Sequence, residues 1–301
     1  FREIARIAGL IFQSHPGEQR SSRQLQASAS LYYDVFQKHD PGNRLLLQAE
    51  RELLQQELDI DRLAAALARM QGQRLALVEL QRPTPLAFPL MVERYCALAF
   101  PRRKMRSAKD LPAIPYPSLQ IDTEQQTAVK ERLSLTTERA VLGLCPGAEF
   151  GPAKRWPEQH YATVAQRWIE NGGDVWIFGS AKDQPVARTI HAHLSPEQQV
   201  HCHLIAGTTS LTEALDLLAA CNKVVSNDSG LMHIAAAVGT PLVAVYGSTS
   251  TGYTPPLSQK VQVVQTNISC RPCFKKQCPL KHLKCLTELS PEMVWLALAA
   301  L

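Results

Sequence analysis

The chain has 301 residues, 45% of them hydrophobic, which is enough for one large domain or two ordinary ones with a real core. Its net charge of +5 comes from acids and bases mixed along the sequence, which suits an anionic ligand without requiring nucleic acid. No run of eighteen apolar residues occurs, and we expect neither a membrane-spanning helix nor a signal peptide. Four scattered cysteines in mainly apolar settings predict reduced core thiols and favour a cytoplasmic protein: Cys96, Cys145, Cys202 and Cys221.

Residues 1–95 are predicted to form a mainly helical segment. Apolar residues recur at helical spacing over 1–12, 21–38 and 44–70, and Pro-Gly turns separate these ranges. Its arginines interleave with glutamates, which favours a solvated helical face over a nucleic-acid surface. Residues 96–138 are predicted to be a proline-rich connector that ends in a polar helix near 122–133.

From residue 139 onward, strand-like and helix-like ranges alternate. The predicted strands are 140–145, 174–178, 200–205, 223–226, 241–246 and 261–265. The predicted helices are 157–171, 182–194, 211–220, 230–238 and 291–300. This alternation predicts an α/β fold over 139–301, namely a Rossmann-like, doubly wound parallel sheet that binds its ligand at the C-terminal ends of the strands.

The range 223–239 predicts a binding site most directly. A β-branched strand ends at Asp228, and Ser229 and Gly230 then open an apolar helix. The first amides of a helix have no intrahelical partners, and the helix dipole favours anions there. Glycine lets the backbone approach a phosphate closely. Lys154 follows a glycine-rich loop after the first strand, so its ammonium can reach across the strand ends. The pattern therefore predicts a diphosphate site.

Each of these residues also has a simpler interpretation. Asp228 fits a helix N-cap, which is compatible with a binding role. Taken alone, His233 fits a packed histidine on an amphipathic helix, and Lys154 fits a solvated loop. Several ordered motifs converge on one edge of the predicted sheet, and this favours the binding interpretation for Lys154 and for 228–230. For His233 and Glu149 both interpretations stay open.

Four segments, 145–157, 178–183, 227–233 and 245–249, resemble the donor half of the ADP-heptose:lipopolysaccharide heptosyltransferases. These enzymes form part of glycosyltransferase family 9, which has the GT-B fold, and the resemblance covers about residues 90–301. It implies that 139–301 is a nucleotide-sugar (donor) domain. It also implies that Asp228 and His233 hold sugar or phosphate oxygens, and that Glu149 and the turn at Gly179 and Ser180 lie near the nucleotide.

The same resemblance implies an activity. The enzyme would transfer heptose from ADP-heptose to the inner core of lipopolysaccharide, with inversion and without a cofactor. It would be a cytoplasmic protein, associated peripherally with the inner face of the cytoplasmic membrane. The first domain of a GT-B enzyme holds the acceptor side and the catalytic base. No strand–loop–helix typical of its start is recognisable in this sequence. We therefore assign no catalytic residue and expect an incomplete enzyme.

Residues 1–90 resemble a different family. The segments 9–12, 22–28, 33–36 and 40–43 are similar to the C-terminal tail of Lhr-type, ligase-associated DEXH-box helicases. The two resemblances meet near 83–95, which is what a fused or mis-joined gene would produce. The alternative function is therefore a helicase-derived module that binds nucleic acid or protein, fused to an inactive α/β domain.

A cysteine cluster near the C-terminus is separate from these motifs. Cys270, Cys273, Cys278 and Cys285 lie within one short range, and four thiolates can hold Zn²⁺ tetrahedrally. A disulfide or reduced loop thiols fit the spacing as well. Neighbouring lysines would lower the pKa values of these thiols and make them more reactive. We expect a structural metal or a disulfide here, and no catalytic role for a metal.

Overall fold

The computed structural model describes residues 87–97 and 106–301. The chain divides into two compact units, residues 1–115 and residues 116–301. The helices predicted over 1–70 lie outside the described residues, so the predicted helical segment over 1–95 stays a prediction. None of the described helices combines the length and the apolar character needed to cross a membrane.

The described part of the first unit centres on one short helix, α1 (Met91–Ala97). The side chain of Glu93 in its first turn accepts a hydrogen bond from the backbone amide of Leu90, so the start of the helix is capped. Phe88 and Ala97 are buried together, with Leu111 packed against them. A short 3-10 helix at Ala108–Asp110 follows.

The second unit is built on a six-stranded parallel sheet. Its strands are β1 (Val141–Cys145), β2 (Asp174–Ile177), β3 (Cys202–Leu204), β4 (Lys223–Asn227), β5 (Leu242–Tyr246) and β6 (Val261–Gln265). They lie in the order β3-β2-β1-β4-β5-β6, and every neighbouring pair is parallel. This order is that of a doubly wound dinucleotide-binding fold.

The apolar runs of the sequence explain which strands are central. All residues of β1, β2 and β5 are buried, as expected of parallel strands covered on both faces. The edge strands differ: β3 has only three residues, and β6 mixes buried and exposed positions. A short edge strand offers little template for unwanted pairing.

Helices cover both faces of this sheet. They are α2 (Thr123–Arg132), α3 (Glu158–Glu170), α4 (Gln184–Ala192), α5 (Pro196–Gln199), α6 (Leu211–Ala220), α7 (Gly230–Ala237), α8 (Lys284–Thr287) and α9 (Pro291–Ala299). The core cluster on one face joins α3, α4 and α9 to alternate residues of the central strands. Helix α7 packs on β4 and β5, and α2 packs on α6.

The predicted α/β fold is confirmed, and most predicted elements lie within one to three residues of the observed ones. The range predicted as one helix, 182–194, is instead a 3-10 turn at Ala181–Asp183 followed by α4. The reason is a capping box, in which Asp183 bonds back to Ser180, with Pro185 at the start of the α-helix. The short helices α5 and α8 were not predicted.

Candidate functional site

The strand order reverses between β1 and β4, so the loops that follow these two strands leave the sheet in a shared crevice. Asn227, the last residue of β4, holds the β1 loop in place. Its side-chain amide donates to the carbonyl of Pro146 at 2.6 Å, and its Oδ1 accepts from the amide of Trp156 at 3.1 Å. Because Asn227 is fully buried, these two bonds fix both ends of the loop against the sheet.

This loop carries Lys154 to the end of β4. Lys154 closes a short 3-10 helix, Pro152–Lys154, and its Nζ lies 2.6 Å from Oδ2 of Asp228. The hydroxyl of Thr249, beyond β5, donates to the same oxygen at 2.5 Å. The structure therefore brings together two residues predicted for the site, and adds a third that follows the neighbouring strand.

The pair is sheltered from water. Asp228 is 3% exposed, and the side chain of Lys154 is 14% exposed. The ammonium also lies 4.9 Å from the centre of the Phe150 ring, within the range of a cation–π contact. A charge in such surroundings needs its partner, because the cost of desolvation is offset only by close pairing.

Helix α7 begins immediately after Asp228. Ser229 has an extended backbone with φ of −146° and makes no side-chain capping bond to the helix. Its hydroxyl lies 3.4 Å from that of Ser226. Gly230 is exposed, and a Cβ placed there would meet no atom within 4 Å. The mouth of α7 is therefore open in front of its first amides, as an anion site requires.

His233 lies one turn into α7, close to the charged pair. Burial lowers its pKa, the charge of Asp228 opposes this shift, and the charge of Lys154 adds to it. Both charges therefore act on the imidazole, and the neutral ring is favoured. A neutral histidine here can both donate and accept a hydrogen bond.

The remaining predicted residues form a second group on the same edge of the sheet. Asp183 accepts from the amide and the hydroxyl of Ser180, at 2.9 and 2.7 Å. A Cβ on Gly147 or Gly179 would clash with Asp183 at 2.7 Å, so the turn after β2 packs closely against the β1 loop. Glu149 pairs with Lys182 at 3.0 Å, and both side chains are largely exposed.

The four clustered cysteines line one small cavity of about 20 Å³. All eight cysteines of the chain are free, and Cys285 is the only buried one of this cluster. Backbone amides, that of Leu283 foremost, lower the pKa of Cys278, whereas burial and the other three cysteines raise the pKa of Cys285. Among residues 87–97 and 106–301, no three His, Cys, Asp or Glu side chains form a group that could hold a metal ion.

Arg271 links this cysteine loop to the crevice and was not predicted from the sequence. Its guanidinium donates to the carbonyls of Gly247, Thr249 and Thr266. Asn227 and Thr249 lie within two of the motif ranges, 227–233 and 245–249, but the sequence predicted no role for either. A polar side chain that bonds to a distant backbone carbonyl has no local sequence pattern, so only the fold could identify it.

The strand order defines an α/β domain of the doubly wound class, and the open mouth of α7 and the adjacent buried ion pair lie at the edge of the sheet where members of that class bind their ligands. The sequence matches the family described as glycosyltransferase family 9 (heptosyltransferase) over residues 64–284. The chain belongs to this family, and that prediction is confirmed. Residues 1–87 match a second family, described as DEAD/H associated.

Curated relatives agree with the family. Lipopolysaccharide heptosyltransferase 2 of Salmonella typhimurium is 46% identical over 209 residues, which is 69% of this chain and 60% of the relative. The Escherichia coli protein of the same name is 46% identical over 216 residues, 71% of this chain and 62% of the relative. The chain thus spans about three fifths of the length of these relatives.

Among solved structures, E. coli ADP-heptose lps heptosyltransferase II has a TM-score of 0.65 and 45% sequence identity. The match covers 71% of this chain and 62% of that one. A family 9 glycosyltransferase of Veillonella parvula, with a TM-score of 0.51 and 24% identity, shares the fold. Both comparisons support the assignment of the second unit to a GT-B type of architecture.

Proposed function

We propose that the chain supplies the donor half of a heptosyltransferase, which binds ADP-heptose and passes its heptose to the inner core of lipopolysaccharide with inversion. The observation that carries this proposal is the Lys154–Asp228 pair beside the open mouth of α7. The match to family 9 and the names of the relatives supply the identity of the sugar and the acceptor.

The chemistry of donor binding follows from the geometry. The amides of Ser229 and Gly230 take the diphosphate, and Lys154 faces it from the β1 loop. Negative charge grows on the diphosphate as the sugar leaves, and amides and an ammonium already in place stabilise it without rearranging. His233 holds a sugar or phosphate oxygen, and Glu149 with the Gly179–Ser180 turn borders the nucleotide.

Transfer through these residues uses no metal in our proposal. The carboxylate closest to the diphosphate position, Asp228, already has an ammonium at 2.6 Å and a hydroxyl at 2.5 Å. Those partners occupy one oxygen of the carboxylate and neutralise its charge, which makes it a weaker ligand for a metal ion. The catalytic base is expected from the acceptor half of the fold, and we assign none among the described residues.

The acceptor implies a place of action. Because lipopolysaccharide core is built on a lipid, we propose a cytoplasmic protein that associates peripherally with the inner membrane. The alternative, a helicase-derived module carrying an inactive α/β domain, is not favoured, because the family 9 match covers residues 64–284 and the crevice of the α/β unit is intact. A nucleic-acid partner is not proposed.

Calorimetric titration with ADP tests the donor site. We expect the chain to bind ADP, Lys154→Ala to weaken binding at least tenfold, and inorganic pyrophosphate to compete with ADP. Lys260→Ala is a matched control, because Lys260 is an exposed lysine that precedes β6 at the opposite end of the sheet. Equal affinities of the Lys154→Ala and Lys260→Ala variants would contradict the proposal, as would an absence of ADP binding by a folded chain.

A further inference from the structure

The cysteine loop between β6 and α8 supports the crevice from two sides. The carbonyl of Lys276 accepts a hydrogen bond from the amide of Ala153, the residue before Lys154, at 3.1 Å. Gly151, with φ of 143°, lies so close to this loop that a Cβ would stand 2.7 Å from the Lys276 carbonyl oxygen. On the other side, Arg271 holds the carbonyl of Thr249 at 2.9 Å. The shape of the loop therefore fixes the position of Lys154.

Hydrogen bonds hold this loop, and regular secondary structure does not contribute to its shape. No helix or strand occurs between Gln265 and Lys284. Most residues of 271–284 are exposed or half-buried, so hydrophobic burial contributes little to its stability. A covalent or metal crosslink would add stability to a loop of this kind.

The four clustered cysteines border one small cavity, three of them from this loop and Cys285 from α8. Cys270, Cys273, Cys278 and Cys285 all line it, together with Ser248. Ser248 is 1% exposed, and its hydroxyl oxygen has no hydrogen-bond partner. A buried hydroxyl left without a partner is uncommon, and it indicates that a polar or ionic group belongs in this space.

The backbone after Cys278 is arranged to receive a negative sulfur. The amide of Lys281 donates to the carbonyl of Cys278 at 3.1 Å, so the chain turns tightly after this cysteine. Lys281 and Leu283 both adopt left-handed φ values, 58° and 49°, which side chains other than glycine rarely take. Such turns direct successive amides into one concave nest, a geometry found at metal–sulfur sites.

We propose that Cys270, Cys273, Cys278 and Cys285 bind one Zn²⁺ as a tetrahedral four-thiolate structural site. Zinc takes four cysteine sulfurs at about 2.3 Å in such sites. A cavity of about 20 Å³ accommodates a single ion. Among the described residues these thiols do not form a metal-binding group as they stand, so the proposal requires side-chain rotation of the three cysteines that lie on irregular backbone.

The zinc site itself does not depend on the proposed function. Its effect on ADP binding does, because that effect rests on the proposed donor site. With the ion bound, the loop holds Lys276 and Arg271, and through them Lys154 and Thr249. The ion would then position the donor site without touching the ADP-sugar. Metal content can be measured whether or not ADP binds, so the two proposals can fail separately.

Metal analysis of the purified full chain tests the site directly. We expect about one zinc per chain by mass spectrometry, and its loss in Cys278→Ser and in Cys273→Ser. Cys96→Ser is the control, because Cys96 is a half-buried cysteine of α1 outside the cluster, and it should retain zinc. Cobalt substitution should give the strong thiolate-to-cobalt absorption of a four-sulfur site. Absence of metal, iron with inorganic sulfide, or disulfides among these four cysteines in the intact mass would each overturn the proposal.

A second measurement asks whether the ion positions the crevice. Removal of zinc by a chelator should weaken ADP binding by about tenfold and lower the melting temperature, and added Zn²⁺ should restore both. Cys96→Ser should respond in the same way as the unmodified chain. If zinc is present but its removal leaves both quantities unchanged, the supporting role is wrong.

Discussion

Two aspartates at opposite ends of the sheet show what makes a buried charge a candidate ligand site. Asp228 follows β4 at the C-terminal edge and is 3% exposed, whereas Asp174 opens β2 at the N-terminal edge and is 5% exposed. Both lie beside basic side chains. Asp228 has Lys154 at 2.6 Å, and Asp174 has Nδ1 of His201 at 2.9 Å and Nε of Arg139 at 3.6 Å.

The surroundings of the two carboxylates differ. Asp228 stands beside the open start of α7, at the point where the strand order reverses, and its partner lysine is largely shielded. The side chains beside Asp174, Arg139 and His201, are about one third exposed. Arg139 also bonds to the carbonyl of Gly172 and to His201, and this cluster therefore links the N-terminal ends of neighbouring strands. Ligands of doubly wound folds bind at the C-terminal edge of the sheet. Asp174 is about as buried as Asp228 but lies at the opposite edge, which indicates a structural role for Asp174.

The largest expected effect is on folding stability when Asp228 loses its cation. Lys154→Met keeps the approximate length of the side chain but leaves the buried Asp228 with the Thr249 hydroxyl and without a cation. We expect a loss of about 3–5 kcal/mol in the free energy of unfolding, measured by urea denaturation. Removal of a cation from an exposed pair, as in Lys182→Met beside Glu149, should change it by less than about 1 kcal/mol.

A double variant separates stability from binding. Lys154→Met combined with Asp228→Asn removes both charges, so most of the lost stability should return. ADP binding should not return, because the ammonium that faces the diphosphate is still missing. Recovery of ADP affinity in the double variant would show that Lys154 serves only to neutralise Asp228.

The next effect concerns affinity alone. A Cβ on Gly230 meets no protein atom within 4 Å, so Gly230→Ala should leave the free energy of unfolding unchanged or raise it by about 0.4–1 kcal/mol. The added methyl group would stand where the diphosphate approaches the first amides of α7. We therefore expect ADP affinity, measured by calorimetry, to fall by about tenfold while stability is kept. Unchanged affinity in this variant would place the diphosphate elsewhere.

The sheet was predictable because its signals are local. Central strands buried on both faces appear as short apolar runs, and α6 begins with a capping box in which Ser210 and Glu213 bond reciprocally. Its predicted bounds, 211–220, agree with the structure. The turn before α4 was missed because Ser180 and Asp183 cap a 3-10 helix rather than an α-helix.

The site was predictable only in part. The mouth of α7 followed from a strand ending in Asn-Asp and a helix opening with Ser-Gly. The sequence could not indicate that Lys154 is paired with Asp228, or that Thr249 and Arg271 complete the crevice, because these contacts join loops from four different places in the chain. The roles of Glu149, Gly179 and Ser180 stay predictions.

A smaller effect is expected at the opposite edge. Asp174→Asn keeps the shape of the side chain and removes its charge, which weakens its contacts with His201 and Arg139. Since both partners are about one third exposed, water screens them, and we expect a loss of about 1 kcal/mol or less in the free energy of unfolding. ADP affinity should be unchanged. A weakened ADP affinity in this variant would remove the distinction between the two edges.

The smallest effect is a linked proton. Burial lowers the pKa of His233 from its ordinary 6.5 in the free protein. A bound diphosphate adds negative charge beside it, which raises this pKa, so the bound form holds more proton than the free form over the pH range in which this imidazole titrates. ADP binding should therefore take up a fraction of a proton at pH 6, and ADP affinity should rise as the pH falls toward 6.

Titrations in two buffers of different ionisation enthalpy measure this uptake directly. His233→Gln should abolish it, whereas His193→Gln, at an exposed histidine just after α4, should not. Proton uptake that persists without His233 would mean that the diphosphate or another group titrates instead, and that His233 lies too far from the ligand to sense its charge.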